Sequence, residues 1–422
     1  MLIAVAADGH FFPQRVALGL DARESTPGFK RQAVVLGAET RSFKRASIVL
    51  RDVLGYTVST NTIERICLEV GNDLEAAQAS DWKDVLTGEV IVPELAIVEY
   101  DGGRIRTRQT DRGPGVHLSG KGWNETKNAI LVSATSTLSE VDPEPNPPAC
   151  FLNPKHVAKL TETAEIKEKA APDEAIPDPP QRSKRKAKKL RPKHRPTRLL
   201  RTVLSSMHNS HDFGEQMARE ARRRRFFDAI RKAFLGDGLA CNWTIHETHF
   251  SDFTPILDFV HAVAYLFLAA RLCFALPDEA WATYTRWMTT VWRGKVGEVI
   301  EELQAHQQRL GLPPEDVADD DPREQLRRVI QYLVNNRHRM KYEEYRKQGL
   351  PITSAWMESA VKEMNYRVKG TEMFWNNPDG AEAILRVKAA SLSDDGRLIR
   401  LLTRRPGCAT VRRPSQPLVQ AA

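Results

Sequence analysis

Apolar and polar positions alternate with a helical period from about residue 25 to residue 80. Ser42-Phe43-Lys44-Arg45-Ala46 opens one such segment, which stops at Gly55. After Tyr56-Thr57-Val58, Ser59 or Thr60 is placed to cap a second helix with Ile63, Ile66 and Val70 on one face. Helix, glycine turn and capped helix give the outline of a helix-turn-helix, and equally of an ordinary helical hairpin. From Leu95 the period changes. Leu95 to Tyr100 is a short apolar run, Asp101-Gly102-Gly103 carries a turn signal, and Arg104-Ile105-Arg106-Thr107 alternates. With Ala129 to Ala134, these predict three antiparallel strands.

Regular patterning then lapses. Pro143, Pro145, Pro147 and Pro148 break it, and eleven lysines and arginines without an acid lie between Arg182 and Arg201. Such a stretch buries too little apolar surface to offset its ordering entropy, so residues 140–200 are expected to form a disordered basic insertion. Helical spacing returns over Phe213 to Ile230. A short strand over Ala233 to Leu235 runs into Gly236-Asp237-Gly238, a helix around Trp243 follows, and Pro255 to Asp258 reads as another strand. His261 to Arg346 reads as helical throughout, with Trp281, Trp287 and Trp292 spaced as core residues. A final strong helix starts at Ser354 and carries Met357, Val361, Met364 and Tyr366. No internal repeat is visible.

Composition narrows the class. With 41% hydrophobic and 27% charged residues the chain has the make-up of a globular protein, and 422 residues are enough for two or three domains. The formal charge is +8, from 62 basic and 54 acidic residues, which favours a polyanionic partner. Its five cysteines show no CxxC or CxxH pairing and read as reduced thiols, neither a zinc site nor a disulfide framework. The apolar run Phe259 to Ala270 is flanked by charge at Asp258 and Arg271 and reads as a buried helix, so a soluble protein without a membrane partner is expected.

Three acids fall where a site would need them. Asp101 and Asp237 follow strands, and Glu358 lies one turn into a helix. Taken alone each has an ordinary explanation, as a turn residue or a complement to the helix dipole. Their order within the elements matches the ribonuclease H-like fold, in which the first and fourth strands lie side by side; that would bring Asp101 and Asp237 together, with Glu358 arriving from the side.

The stretches EYDGGRIRTR (99–108), GDGLACNW (236–243), ILDFVHAVAYL (256–266) and, most specific, NNRHRMKYEEYRKQGLPITSAWMESAVKEMNYRVKG (335–370) resemble bacterial insertion-sequence transposases of the Kra type, related to the Mutator-like DDE enzymes. The resemblance runs from about Phe12 to Leu392. It implies an α/β ribonuclease H-like catalytic core in three parts (91–139, 201–262 and 351–395). An all-helical insertion (263–350) would precede the glutamate, a helical, helix-turn-helix-like DNA-binding region (1–90) would lead, and a flexible tail (396–422) would follow. It implies that Asp101, Asp237 and Glu358 are the catalytic carboxylates and the ligands of two Mg²⁺ or Mn²⁺ ions, with Asp101 bridging both. Water would attack in cleavage and a DNA 3′-hydroxyl in strand transfer. The substrate would be double-stranded DNA, at the terminal inverted repeats of the element and at the target, bound by a homo-oligomer in the bacterial cytoplasm at the nucleoid. Family members carry a cysteine-containing, zinc-ribbon-like segment ahead of the part matched here, and a Ser-Gly pair where this chain has Ser354-Ala355 followed by Trp356.

Secondary candidates surround this triad. Asp258 and His261 match the (C/D)xxH signature of Mutator-like and hAT-like enzymes, with His261 orienting Asp258, touching DNA or simply structural. Lys362, one turn after Glu358, either contacts a phosphate or pairs with the glutamate. Arg337, Arg339, Lys341, Arg346 and Lys347 either track a DNA backbone or form a solvated helix face, and Lys184, Arg185 and Lys186 belong to the basic insertion. A transposase-derived DNA-binding protein without cleavage activity is the alternative reading.

Overall fold

The computed structural model describes residues 20, 25–80, 90–108, 123–168, 194–314, 317–369 and 374–404. Five strands form one mixed sheet: β1 (Leu95–Arg106), β2 (Trp123–Thr135), β3 (Thr197–Ser206), β4 (Arg231–Gly236) and β5 (Thr254–Leu257). Their order is β3-β2-β1-β4-β5. β1 and β2 pair antiparallel, as do β2 and β3, while β1–β4 and β4–β5 are parallel. The class is therefore α/β, and the first and fourth strands are neighbours.

Both faces of the sheet are covered, which explains why the first six residues of β1 are all buried and not alternately so. Tyr100 points to one face, where its ring meets Phe213 at 6.0 Å. Glu99 points to the other.

The predicted helical pair in the N-terminal part is present as α2 (Phe43–Leu54) and α3 (Thr60–Ala79), preceded by α1 (Pro27–Glu39). Gly55 ends α2 in the left-handed conformation at φ 74°, and the Ser59 hydroxyl caps α3 by accepting from Thr62 N–H. Ile63, Ile66 and Val70 are buried as their spacing required. These helices are packed onto the rest of the chain. A Cβ on Gly71 would meet the Ala383 backbone at 2.6 Å, and Lys388 reaches Glu39 at 3.0 Å.

Three expectations are corrected. Asp101-Gly102-Gly103 is no turn: β1 continues through it, with Asp101 opposite Asn128 and Gly103 opposite Thr126. A Cβ at Gly103 would come within 2.7 Å of the Thr126 hydroxyl, so this glycine serves close cross-strand approach. Nor is 140–200 disordered throughout. Within it α4 (Pro154–Glu168) forms and packs on the helix over Phe259–Cys273, Phe151 stacks edge-on against Phe259 at 5.2 Å, and β3 begins at Thr197. Residues 169–193, with Lys184, Arg185 and Lys186, lie outside the described residues. In the predicted tail, Arg397–Arg404 is helix α14, with Leu398, Leu401 and Leu402 buried; residues 405–422 lie outside the described residues.

The remaining helices are α5 (Ser210–Arg223), α6 (Ala240–His249), α7 (Phe259–Cys273), α8 (Pro277–Trp292), α9 (Val296–Leu310), α10 (Pro322–Asn336), α11 (Tyr342–Lys347), α12 (Ala355–Val368) and α13 (Pro378–Leu392). Trp287 and Trp292 are fully buried, in agreement with their reading as core. The chain from Arg337 to Lys347 covers the free edge of β5, where the Tyr342 hydroxyl donates to Leu257 O (3.0 Å) and the Tyr345 hydroxyl to Pro255 O (3.2 Å). No helix among the described residues is long and apolar enough to cross a membrane.

Candidate active site

β1 and β4 run parallel, with Glu99 opposite Leu235. Continued two residues along both strands, this register brings Asp101 level with Asp237 and on the same face. Gly236 stands opposite Leu257 on β5, so Asp258 follows at the same height. Three acids thus lie in a row, Asp101 within β1 just beyond its paired stretch with β4, and Asp237 and Asp258 directly after the carboxyl ends of β4 and β5, the edge where open α/β sheets bind ligands. Asp101 and Asp237 are half-buried and Asp258 is buried.

Asp237 is held on one side only. Its Oδ1 accepts from Asn242 Nδ2 (2.7 Å) and from Leu239 N–H (3.1 Å), while its other carboxylate oxygen has no hydrogen bond among the described residues. The flanking glycines make room for neighbouring side chains. A Cβ at Gly236 would stand 2.9 Å from the fully buried Asn242. Gly238, at φ 97°, has the Tyr332 ring 2.6 Å from where its Cβ would be. Tyr332 comes from α10, stacks on Tyr265 at 3.7 Å and donates its hydroxyl to Asp237 O at 2.7 Å. The helical insertion is thereby docked directly onto the Asp237 turn.

Glu358 lies in the first turn of α12, whose start is pinned to the sheet at two points. The buried Glu99 carboxylate accepts from Met357 N–H at 3.0 Å. Burial pushes the Glu99 carboxyl up to about 8, opposed by that hydrogen bond and reinforced by Asp258. Asp258 caps α7 by accepting from Val260 N–H (2.9 Å), and its other oxygen takes the Ser354 hydroxyl just ahead of α12. This assigns Asp258 a structural part, with His261 half-buried in the first turn of α7.

Glu358 itself points outward, 66% exposed, paired with Lys362 at 2.6 Å. Of the two partners open to Lys362, the structure places the glutamate there. Among the described residues no three His, Cys, Asp or Glu side chains are gathered closely enough to hold a metal ion. The chain brings Asp101 and Asp237 to one height and anchors the helix of Glu358 beside them, without closing the three carboxylates around a point.

The basic residues separate clearly. Arg339 is buried, 4.0 Å over the Trp243 ring and bonded to Asn336 Oδ1 at 3.0 Å. Arg346 is buried too, 4.1 Å over Trp292, with its Nε 2.9 Å from Asp142. Neither faces solvent, so the expectation that they track a phosphate backbone is corrected. Lys347 pairs with Glu343 at 2.7 Å and Lys341 with Glu344 at 3.9 Å, while Arg337 is exposed.

Sequence reasoning missed Glu99, Asn242 and Tyr332. A charged residue inside the otherwise apolar run of β1 was a usable signal for Glu99; nothing local marks the other two. It also missed a buried charge cluster in which Glu220, Arg224, Asp395 and Arg397 tie α5 to α14. Burial works against the charge on Glu220, but Arg397 and Arg224 hold it down to about 2.

Compared with models of known families and with curated proteins, the chain matches none.

Proposed function

We propose that this chain is a DDE transposase with a ribonuclease H-like core, cutting and rejoining DNA at the terminal inverted repeats of an insertion sequence. The observation that carries this reading is the placement of Asp101 on β1 level with Asp237, which directly follows the neighbouring parallel strand β4, in a sheet ordered β3-β2-β1-β4-β5. The resemblance over 335–370 and the helix bearing Glu358 beside these strands support it further.

The donor set fits a hard divalent cation. Carboxylate oxygens suit Mg²⁺ or Mn²⁺, and one oxygen of Asp237 is uncommitted among the described residues. When bound, two such ions would neutralise the phosphate, lower the pKa of the attacking water and stabilise the leaving oxygen. Asp101, Asp237 and Glu358 would hold them. The chain's own part is positioning. Asn242 Nδ2 and Leu239 N–H donate to the Asp237 carboxylate and orient it. Glu99 and Asp258 fix the start of α12. The Glu358–Lys362 pair is exposed and worth roughly 0–1 kcal/mol, so a cation can displace Lys362 at little cost.

Double-stranded DNA is the partner, with the chain acting as a homo-oligomer on it. A second reading, a DNA-binding protein without cleavage activity, draws on the outward-facing Glu358. A supercoiled plasmid bearing the cognate ends, incubated with protein and Mg²⁺, separates the two. Nicking or excision at the ends supports the transposase; binding without cutting supports the alternative; cutting confined to branched DNA contradicts both.

A further inference from the structure

We infer that the corner formed by the start of α2, the end of α12 and the β1–β2 arm is a docking surface for the backbone of duplex DNA. This rests on the DNA-processing reading above and adds where the flanking duplex lies. α12 runs alongside the arm, touching β1 at its start through Met357 and Glu99 and meeting β2 at its end through Lys369 and Trp123. At that end Lys369 Nζ lies 5.7 Å and the Arg106 guanidinium 5.3 Å from the centroid of the Trp123 ring. Next to it Arg41 lies 4.8 Å over the Tyr366 ring. Aromatic faces hold cations in place without neutralising them, whereas a carboxylate would cancel the charge. Arg41 and Lys369 have no ion pair among the described residues, and Glu125 on the same arm is paired with Lys127 at 3.3 Å.

The corner is held rigidly from below. Arg367 stacks over Phe43 at 4.5 Å and Trp375 at 5.3 Å, and Arg108 N–H donates to Trp375 O at 2.8 Å. These are preorganised cations on packed elements, the arrangement that phosphate positioning calls for.

The spacing suits a duplex leaving the candidate site. Tyr366 follows Glu358 by about 12 Å of helix and Arg106 follows Asp101 by about 17 Å of strand. At about 3.4 Å per base pair, the corner meets DNA about four to five base pairs from the scissile phosphate. The buried Arg339 and Arg346 cannot make this contact.

The test measures affinity for a random-sequence duplex across a salt series, for the full chain and the double variant Arg41→Ala/Lys369→Ala. Each phosphate contact removed should lower the slope of log K against log salt by about 1, so a fall of about 2 is expected. Lys369→Gln alone should lower it by about 1, and guards against a folding defect in the double variant. Arg286→Ala, which removes a cation already paired with Glu302 at 2.7 Å, should leave the slope unchanged. Binding with an unaltered slope in the Lys369 and double variants overturns this surface and leaves the transposase reading standing. Failure of the unaltered chain to bind duplex DNA overturns both.

Discussion

At the residue scale the site depends on small side chains that few sequence rules would single out. Asn242 is fully buried five residues after Asp237, and Gly236 is glycine because Asn242 needs the space. The hydrogen bond it donates orients the Asp237 carboxylate, a metal ligand in the proposed function, and removing such a partner of a metal ligand typically costs about 10–100-fold in metal affinity or activity. Asn242→Ala should therefore slow metal-dependent cleavage by about that factor while leaving DNA affinity within about two-fold, since phosphate contacts are made elsewhere. Cleavage kinetics beside a binding isotherm checks this, and unchanged cleavage would remove Asn242 from the machinery. Burial and the charge of Asp237 raise the thiol pKa of Cys241, the preceding residue, and so disfavour its thiolate.

At the scale of elements, the strands and helices with strong apolar patterning could be read from sequence: β4, β5, α2, α3, α7 and α12 lie where their periodicity put them. Asp101 was misread because Asp-Gly-Gly is a local turn signal, whereas the pairing of Gly103 with Thr126 is set across strands. β3 was hidden because its first half is exposed and its start lies in a lysine- and arginine-rich stretch. Arg339 and Arg346 looked like a solvated face since sequence does not record Trp243 and Trp292 waiting beneath them. Arg346→Ala removes a buried guanidinium and leaves the half-buried Asp142 with only its hydrogen bond from Glu144 N–H among the described residues, a loss of about 1–3 kcal/mol. A lowered unfolding midpoint with an unchanged DNA salt slope is the expected result. The charge cluster of α5 and α14 sets an acid limit. Glu220 titrates near 2 when folded against an ordinary value of 4.5. Its stabilisation is thus present above pH 4.5 and lost as pH falls toward 2. Glu220→Gln should be less stable at neutral pH and should show a flatter loss of stability across that window, as urea unfolding at a series of pH values would reveal.

At the scale of the whole molecule, β1 and α12 connect the two proposed functions. Asp101 lies midway along β1 and Glu358 in the first turn of α12, and the far end of each carries an aromatic-held cation of the corner proposed to face DNA. The helical insertion locks the Asp237 turn through Tyr332 and closes the β5 edge through Tyr342 and Tyr345. The candidate site is thus braced by the insertion helices and by the anchored start of α12, while Glu358 keeps an exposed pair with Lys362 that the proposed function would have a metal ion displace. The central claim is that Asp101, Asp237 and Glu358 act as one unit. It is tested most directly by nicking of a plasmid carrying the cognate ends, in Mg²⁺, by Asp101→Asn, Asp237→Asn, Glu358→Gln and the triple variant, each matched for DNA binding. Residues acting as a unit are strongly non-additive, so each single variant should lose nearly as much activity as the triple variant, about 10³-fold or more. A triple variant that still nicks the ends, or a Glu358→Gln variant with full activity, would contradict the account.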